Sequence, residues 1–337
     1  MRTCVILNPT AGQKVGLTTN ALGLDDARAL LERHRIEADI LCTERAKHGT
    51  ELARQAVADG YQRAIAAGGD GTVAEVAEGI VGTDVELGVL PLGSVMNVAR
   101  MLGIPRDLDA AAEVITARRV VRIDVGRATA QAGSRYFLEA TGAGIDAGLF
   151  AYFNQLDRGN WRSIKPLLTF MWRYRPRRLT VRLDGRPYRF RAMMVTVANG
   201  PYLGAALTLA PDAKLDDGLL DVKVFTRFGK VELLRHFLAI VGGRRVYNPK
   251  VLSFQARQVE IVPEQPMMVH ADSDPLGTSP ARCEVVPAAL SVIVGGEPGC
   301  RPALLRVPEP LTRSMSKRVI VSATGRSNGA GVPLSHD

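Results

Sequence analysis

Residues 66–80, AAGGDGTVAEVAEGI, place three glycines around one aspartate at the start of an amphipathic helical pattern. They follow the apolar run RAIAA at 63–67, which predicts a strand. Glycine lets a ligand approach the main chain closely, and the free N–H groups at a helix start attract phosphate. GGDGT has neither the Gly-Lys-Ser/Thr of a P-loop nor the spacing G-x-G-x-x-G. It therefore indicates a phosphate-binding turn of another kind, with a plain strand-to-helix turn as the alternative.

Strand and helix patterns alternate on both sides of this turn through about residue 125. The runs CVILNP, ADILCT, YQRAIAAGG and ELGVLPLG predict strands, and the segments that follow them have helical spacing. This βαβα order predicts a parallel sheet covered by helices on both faces. NPTAG at Asn8–Gly12 and PLGS at Pro91–Ser94 follow the first and fourth strands. We expect both loops beside GGDGT at the carboxyl edge of the sheet, where they form a phosphate cradle.

The second half of the chain has a different pattern. From about Val125, short β-rich runs separated by Gly, Pro, Asn and Asp predict an antiparallel sandwich or barrel, with helical spacing only near 148–174 and 230–240. The last residues are rich in Pro, Ser, Gly and basic side chains and are predicted to be mostly disordered. We therefore divide the chain into 1–125, 126–296 and 297–337.

Composition narrows the classes of partner. The net charge of +9 favours acidic partners such as nucleotide phosphates or anionic lipid, and no nucleic-acid-binding motif accompanies it. The four cysteines are scattered, without the paired spacing of a zinc site or a disulfide framework. No apolar run approaches the ~20 residues of a spanning helix, and the N-terminus lacks a signal-peptide pattern. We expect a cytoplasmic protein that has no nucleic-acid partner.

Several motifs resemble those of the diacylglycerol kinase family, which includes sphingosine kinases and bacterial lipid kinases. NPTAG, AAGGDGT and PLGSVMNVAR match the family's three nucleotide-domain motifs in order and spacing. APDAKLDDGLLDV at 210–222 is similar to the segment that binds a structural magnesium in bacterial members, and VHADSDPLG at 269–277 lies where the family carries its catalytic Asp-Gly-Glu. The resemblance covers roughly residues 1–295. It implies a phosphofructokinase-like (NAD-kinase-like) α/β nucleotide domain followed by an antiparallel β-sandwich domain, with ATP in the cleft between them.

The resemblance also implies roles for particular residues. Asp272 would be the general base that takes the proton from a lipid hydroxyl, and Asp70 and Asp124 would join a catalytic magnesium network. The residues implied to hold a structural magnesium are Lys214, Asp217 and Leu219. The residues implied to line ATP are Asn8, Pro9, Thr10, Ala11, Gly12, Thr43, Gly68, Gly69, Asp70, Gly71, Thr72, Ser94 and Asp274.

These residue types suit phosphoryl transfer, which depends on positioning, on neutralising charge and on a carboxylate that orients the attacking hydroxyl. We predict an ATP- and Mg²⁺-dependent lipid kinase with a diacylglycerol-like or sphingoid-like acceptor. Two departures from the family pattern stand out. Ser273 and Asp274 replace the Gly-Glu of the catalytic motif, and Met96 and Asn97 replace an Asn-Asp pair, which leaves one acidic position neutral. The alternatives are a NAD-kinase-like nucleotide kinase, a phosphofructokinase, and a catalytically weak lipid-binding or regulatory relative.

The segment NWRSIKPLLTFMWRYRPRR at 160–178 mixes apolar residues with six basic residues and no acid. This composition suits peripheral contact with an anionic membrane surface, where Trp161 and Trp172 would anchor. The alternative is a helix that packs on the sandwich and exposes a basic face. The bacterial relatives also imply a possible homodimer.

Overall fold

The computed structural model describes residues 1–14, 17–18, 20, 22–148, 164–204, 207–229, 231–232, 235, 249–272 and 274–296. Parts of the two predicted helical stretches at 148–174 and 230–240 lie outside these residues. Trp161, Ser273 and the tail from residue 297 also lie outside them.

The first 118 residues alternate strand and helix, as the sequence predicts. The strands are β1 (Thr3–Leu7), β2 (Gln13–Lys14), β3 (Leu17–Thr18), β4 (Asp39–Cys42), β5 (Arg63–Gly68) and β6 (Glu86–Pro91). The helices are α1 (Leu24–Arg33), α2 (His48–Ala58), α3 (Asp70–Ile80), α4 (Asn97–Met101) and α5 (Leu108–Ala117). Strands β4, β1, β5 and β6 lie side by side in parallel. Every residue of β1, β5 and β6 is buried, as continuous apolar runs predict for a parallel sheet.

Helix α3 anchors the glycine-rich turn. Val73, Val76 and Ile80 are fully buried, and their spacing of three and four residues places them on one helix face. Because α3 starts at Asp70 and β5 ends at Gly68, the turn between them lies at the carboxyl edge of the sheet.

The residues from 120 onward are mainly antiparallel strands. They are β7 (Val120–Ala130), β8 (Gly133–Phe137), β9 (Ala140–Gly144), β10 (Arg177–Leu183), β11 (Arg186–Ala192), β12 (Met194–Ala198), β13 (Tyr202–Leu203), β14 (Leu207–Thr208), β15 (Leu220–Phe225), β16 (Val251–Ala256), β17 (Gln258–Pro263), β18 (Met268–Ala271), β19 (Asp274–Thr278) and β20 (Ala281–Ile293). Helix α6 spans Ile164–Arg173. One sheet has the order β16-β15-β12-β9-β18-β19. It shares an apolar core with the antiparallel strands β7, β8, β10, β17 and β20 of the larger sheet, which confirms the predicted sandwich.

Strand β20 joins the two halves of the molecule. Its first residues pair antiparallel with β17 and β7, and its register shifts between Val286 and Leu290. Beyond that shift, Ser291 pairs in parallel with Glu86 of β6, and the side chains of Leu290 and Val292 are buried in the core of the first half. The parallel strands and one layer of the sandwich therefore belong to a single sheet of ten strands.

Glu86 also holds a buried charge network. Its carboxylate lies 3.1 Å from Arg63 Nη2 and 2.7 Å from Arg118 Nη2. The side chains of Arg63 and Glu86 are only 10% and 11% exposed. Burial would raise the pKa of Glu86, but the hydrogen bonds from Arg118 and Arg63 outweigh burial, and the pKa is lowered. The ionised carboxylate therefore neutralises a buried guanidinium.

Glu86→Ala is expected to lower the free energy of unfolding by about 3 kcal/mol, because the buried guanidinium of Arg63 loses its anion. Urea unfolding followed by circular dichroism measures the change. The control is Asp84→Ala, which removes an exposed ion pair with Arg122 and is expected to cost less than about 1 kcal/mol. Equal losses in the two variants would contradict this role of Glu86.

Candidate active site

The structure brings the three glycine-rich loops together at the carboxyl edge of the parallel strands. Asn8 Nδ2 donates to Thr72 Oγ1 at 3.1 Å, which joins NPTAG to GGDGT. Asn8 Oδ1 accepts from the main-chain N–H and the hydroxyl of Thr10 at 3.1 and 2.9 Å. The N–H of Leu92 donates to the carbonyl of Gly68 at 2.9 Å, which joins PLGS to GGDGT. The three loops form one surface of small side chains and main-chain groups.

Two glycines of this surface differ in what surrounds them. A Cβ on Gly93 would lie 2.8 Å from Met96 Sδ and 2.9 Å from Gly69 Cα, closer than real Cβ contacts. A Cβ on Gly71 would meet no atom within 4 Å. Gly93 is thus required by the packing of two loops, whereas the backbone at Gly71 is open to a ligand.

The remaining loop residues predicted to line ATP lie at the same edge. The N–H of Thr43 donates to the carbonyl of Leu7 at 2.8 Å, which fixes the end of β4 beside that of β1. Pro9 is exposed and Ala11 is half-buried, and Gly12 has a φ of 79°, a left-handed conformation that favours glycine.

Asp70 connects GGDGT to the start of α4. Its Oδ1 accepts from the N–H of Val98 at 3.0 Å. Burial raises the pKa of Asp70, and hydrogen bonds from the N–H groups of Val98, Asn97 and Met96 act in the opposite direction. Met96, with a φ of 55°, turns the chain into α4. Asp70 thus fixes the loop that carries Ser94, which is half-buried.

Asp272 reaches this region from the turn between β18 and β19. Its Oδ1 accepts from the N–H groups of Glu139 and Ala140 at 2.9 and 3.2 Å, and its Oδ2 accepts from the N–H of Leu138 at 3.1 Å. Burial raises the pKa of Asp272 to about 6, against the opposing effect of these three bonds. The carboxylate is therefore held in one orientation while its affinity for a proton remains high.

A buried histidine supports the backbone of Asp272. His270 Nδ1 donates to the carbonyl of Asp272 at 2.8 Å, and Nε2 lies 3.3 Å from Asp146 Oδ2. Thr196 Oγ1 donates to the same Asp146 oxygen at 3.3 Å. Burial would lower the pKa of His270, but the Asp146 carboxylate outweighs burial, and the pKa is raised. The sequence reasoning missed His270 and Asp146, because no local motif marks a pair that lies so far apart in the chain.

Glu139 is a third acid at this place, and the sequence reasoning missed it as well. The residue is 3% exposed. Its Oε2 accepts from Asn97 Nδ2 at 2.8 Å and from the N–H of Gly204 at 3.2 Å. Burial raises its pKa well above the usual value, and the negative charges of Asp70 and Asp272 raise it further. The only local signal is one acid in the otherwise uncharged run FLEATGAG at 137–144.

Two family models match the chain over the two halves just described. The first, the diacylglycerol kinase catalytic domain, matches residues 2–128. The second, the YegS C-terminal NAD kinase beta sandwich-like domain, matches residues 140–294. The chain belongs to the diacylglycerol kinase family.

Individual relatives agree with this assignment. A diacylglycerol kinase of Staphylococcus haemolyticus is 28% identical over 300 residues, which are 83% of this chain and 85% of the relative. A probable lipid kinase YegS-like of Klebsiella pneumoniae is 27% identical over 280 residues, 82% of this chain and 92% of the relative. A solved structure of a putative diacylglycerol kinase from Bacillus anthracis is 26% identical with a TM-score of 0.68, and the match covers 87% of this chain and 97% of that one. The predicted family and fold class are confirmed.

In this diacylglycerol kinase family member, Asp124 contacts the KLDDG segment. Its Oδ2 accepts from the N–H of Gly218 at 2.6 Å, its Oδ1 accepts from the N–H of Ala288 at 2.8 Å, and its N–H donates to the carbonyl of Leu215 at 2.6 Å. Asp124 thus ties the predicted structural magnesium segment to the register shift of β20. Its membership of the catalytic magnesium network stays a prediction.

The KLDDG segment has donor groups that suit a hard cation. Asp217 is exposed, and its Oδ1 accepts from the N–H of Leu219 at 3.0 Å. Partial burial of its carboxyl and the nearby charge of Asp124 raise the pKa of Asp217. Asn199 Nδ2 donates to the carbonyl of Asp124 at 3.0 Å, while its buried Oδ1 has no hydrogen-bond partner among the described residues. Carboxylate, amide and carbonyl oxygens are the donor types that Mg²⁺ prefers, and the structural magnesium site at Lys214, Asp217 and Leu219 stays a prediction.

Oxygen donors also lie close to one another around Glu139. The negative charges of Asp70 and Asp272 both raise the pKa of Glu139. The buried Oδ1 of Asn97, which binds Glu139 through Nδ2, has no hydrogen-bond partner in the described part of the chain. Carboxylate and amide oxygens are ligands that Mg²⁺ accepts directly or through water. Within the described ranges, no three acidic, histidine or cysteine side chains are close enough together to bind one ion by themselves.

Asp274, the last residue predicted to line ATP, forms an ion pair with Arg135. Its side chain is 52% exposed. Arg135 also lies 3.3 Å from Glu78 on α3, so it connects β8 to the helix that starts at the GGDGT turn. The contact of Asp274 with ATP stays a prediction.

Gly93→Ala is expected to lower the free energy of unfolding by about 2 kcal/mol, because the added methyl group separates the GGDGT and PLGS loops. Gly71→Ala is the matched control, and it is expected to change stability by less than about 0.5 kcal/mol because its Cβ meets open space. Thermal unfolding without ligand measures both. A loss in Gly71→Ala as large as in Gly93→Ala would contradict the difference in packing.

Proposed function

We propose that this protein is a lipid kinase that transfers the γ-phosphoryl group of ATP to the hydroxyl of a diacylglycerol-like or sphingoid-like lipid, with Mg²⁺ as cofactor. The observation that carries the proposal is the position of Asp272. A half-buried carboxylate, fixed by three main-chain N–H groups, lies beside acids of the same cleft that the glycine-rich loops reach. The family membership of the chain supports the same reaction.

The three glycine-rich loops would bind the nucleotide. The open backbone at Gly71 and the start of α3 offer N–H groups to phosphate oxygens. Asn8 and Thr72 hold each other in place, so the loops are already arranged before the nucleotide arrives. Arrangement of this kind lowers the entropy cost of positioning the phosphates.

Asp272 would act as the general base. One of its oxygens takes the proton of the lipid hydroxyl, the hydroxyl oxygen forms a bond to the γ-phosphorus, and the bond from that phosphorus to the bridging β–γ oxygen breaks to release ADP. The three N–H donors keep the carboxylate aimed at the acceptor throughout. Bound Mg²⁺ would offset the negative charge of the transferred group.

Asp272→Asn is expected to lower the rate of phosphoryl transfer at least about 100-fold, because the amide cannot take the proton. Purified protein, γ-labelled ATP, Mg²⁺ and a panel of lipids provide the assay, with label in the lipid fraction as the readout. The control is Asp25→Asn, which changes an exposed acid on α1 and is expected to keep the full rate. Label on NAD alone, or on no acceptor despite bound ATP, would contradict a lipid kinase.

The pH dependence of the same assay tests the base directly. The carboxyl must be ionised to act, and its pKa is raised to about 6, so the wild-type rate is expected to fall as the pH drops through 6. A rate independent of pH between 5 and 8 would contradict Asp272 as the base.

We further propose that the protein contacts anionic membrane surfaces peripherally, through a basic cavity beside α6. The cavity has a volume of about 470 Å³ and is lined by Arg173, Arg175, Arg177, Arg178 and Arg191, with Glu264 as its one acid among the described lining residues. Arg178 and Arg191 lie directly opposite each other on β10 and β11. Such like-charged pairs repel, so an anionic headgroup between them would stabilise this surface.

Other features beside this cavity suit a bilayer. Trp172 at the end of α6 is 70% exposed. A neighbouring cavity is lined by the apolar groups of Pro166, Phe170 and Tyr174. None of the helices in the described ranges has the length and apolar character that a bilayer crossing requires. A cytoplasmic location and a homodimer stay predictions.

The double variant Arg178→Gln/Arg191→Gln is expected to bind vesicles of phosphatidylglycerol and phosphatidylcholine about 30-fold more weakly, since each basic residue near an anionic surface contributes roughly 1 kcal/mol. Vesicle flotation measures the partition coefficient. Arg28→Gln/Arg54→Gln removes the same charge from exposed positions on α1 and α2 and is expected to have little effect. Equal losses in the two double variants would indicate a dependence on net charge alone.

A further inference from the structure

We propose that Glu139 is a third acidic residue of the phosphoryl-transfer site, acting together with Asn97 to bind the catalytic cation. The inference rests on the proposed kinase function and adds two residues to its site. It stands on the position of Glu139 between the two halves of the molecule, on its surroundings, and on the unsatisfied oxygen of Asn97.

The side chain of Glu139 joins elements that are distant in the sequence. It accepts one hydrogen bond from Asn97 at the start of α4 and one from the N–H of Gly204 after β13. Asn97 Nδ2 also donates to the carbonyl of Gly204 at 2.8 Å, so the three residues form a closed set of contacts. The main-chain N–H of Glu139 meanwhile holds Asp272. Glu139 thus binds the proposed base Asp272 through its backbone, and it binds Asn97 in the first half of the molecule through its carboxylate.

The two charges that raise the pKa of Glu139 are both negative. The acids that oppose its ionisation are Asp70 and Asp272, and in the described part of the chain no lysine, arginine or histidine lies within ion-pair distance of it. A buried carboxylate beside two others is costly unless a cation offsets the repulsion.

Asn97 provides a second, independent observation. The residue is 1% exposed, and both of its described hydrogen bonds are made by Nδ2, toward Glu139 and Gly204. Its Oδ1 therefore stays without a partner beside the carboxylate. A buried amide oxygen in that state loses a hydrogen bond that water would supply, and a cation or its bound water would restore an interaction.

The same pair accounts for a departure from the family pattern. Asn97 is neutral where the resemblance implies an acid, and the side chain that it binds is an acid from another strand. The net charge available to a cation beside Asp70 is thus kept, with the carboxylate carried by Glu139 in place of residue 97.

The test measures cation binding separately from catalysis. Mn²⁺ replaces Mg²⁺, and electron paramagnetic resonance counts the Mn²⁺ that the protein binds only when ATP is present. Glu139→Gln keeps the shape and the hydrogen-bond acceptor, so the protein is expected to fold. It is expected to weaken this ATP-dependent Mn²⁺ binding roughly tenfold or more and to lower kcat, because a group that supports a metal site typically contributes that much.

The exchange variant Asn97→Asp/Glu139→Gln tests whether Mn²⁺ binding depends on the negative charge of this pair or on the shape of the Glu139 side chain. It returns one carboxylate to the pair, so ATP-dependent Mn²⁺ affinity is expected to recover to within about threefold of wild type. Glu260→Gln, an exposed position paired with Arg182, is the control and is expected to leave Mn²⁺ binding unchanged.

The outcomes separate this inference from the proposed function. Unchanged Mn²⁺ binding in Glu139→Gln, with normal transfer to lipid by the wild type, would overturn the role of Glu139 and leave the kinase intact. Loss in Glu139→Gln without recovery in the exchange variant would assign Glu139 a purely structural role and also overturn the inference. A wild type that binds Mn²⁺ with ATP but labels no lipid would contradict the kinase. The comparison of Mn²⁺ binding between the wild type and Glu139→Gln would still test the role of Glu139.

Discussion

The relative position of the two halves depends on the pairing of one strand. Strand β20 contributes its first residues to the sandwich and its last residues to the parallel sheet, where Ser291 lies beside Glu86. On one side β20 pairs with β7 both before and after a register shift between Val286 and Leu290, and on the other side it pairs first with β17 and then with β6. The N–H of Ala288 in that shift binds Asp124, which also holds the KLDDG segment. The two halves of the molecule are thus joined by one continuous sheet.

The candidate site combines main-chain N–H groups with a group of acids. The glycine-rich loops present main-chain N–H groups, which suit phosphate, whereas Asp70, Glu139 and Asp272 concentrate negative charge beside them. Phosphate and carboxylate repel each other, so the two groups can work at one site only with a cation between them. Two buried amide oxygens have no partner among the described residues: Oδ1 of Asn97, whose Nδ2 binds Glu139, and Oδ1 of Asn199, whose Nδ2 binds the main chain of Asp124.

Local sequence was enough to predict the fold class. The alternation of apolar runs with helical spacing reflects which residues are buried, and it can be recognised within a window of a few residues. GGDGT marks the strand-to-helix turn because glycine lets the backbone approach its neighbours closely. The sandwich was predicted from short β-rich runs separated by turn residues. The path of β20 could not be read this way, because residues 289–294 look like any other β-rich run and only pairing with β6 assigns them to the first core.

The site residues show the same difference between what local sequence predicts and what only long-range contacts reveal. Asp70 and Asp272 were predicted because a local motif or a family resemblance marks them. Glu139, His270 and Asp146 were missed because their importance comes from contacts across the chain, such as that between Glu139 and Asn97. Asp124 was assigned to a network with Asp70, and its observed hydrogen bonds go to the KLDDG segment and to β20.

The charge network at Glu86 has a consequence for how this sequence can evolve. Its backbone pairs with β20, while its single carboxylate forms ion pairs with both Arg63 and Arg118. A single replacement that removes one of these charges breaks at least one of the two ion pairs, so it would pass through a weakened intermediate. Among descendants of this protein the three positions should therefore change together or stay as they are, and an alignment of close relatives would record them as a covarying group.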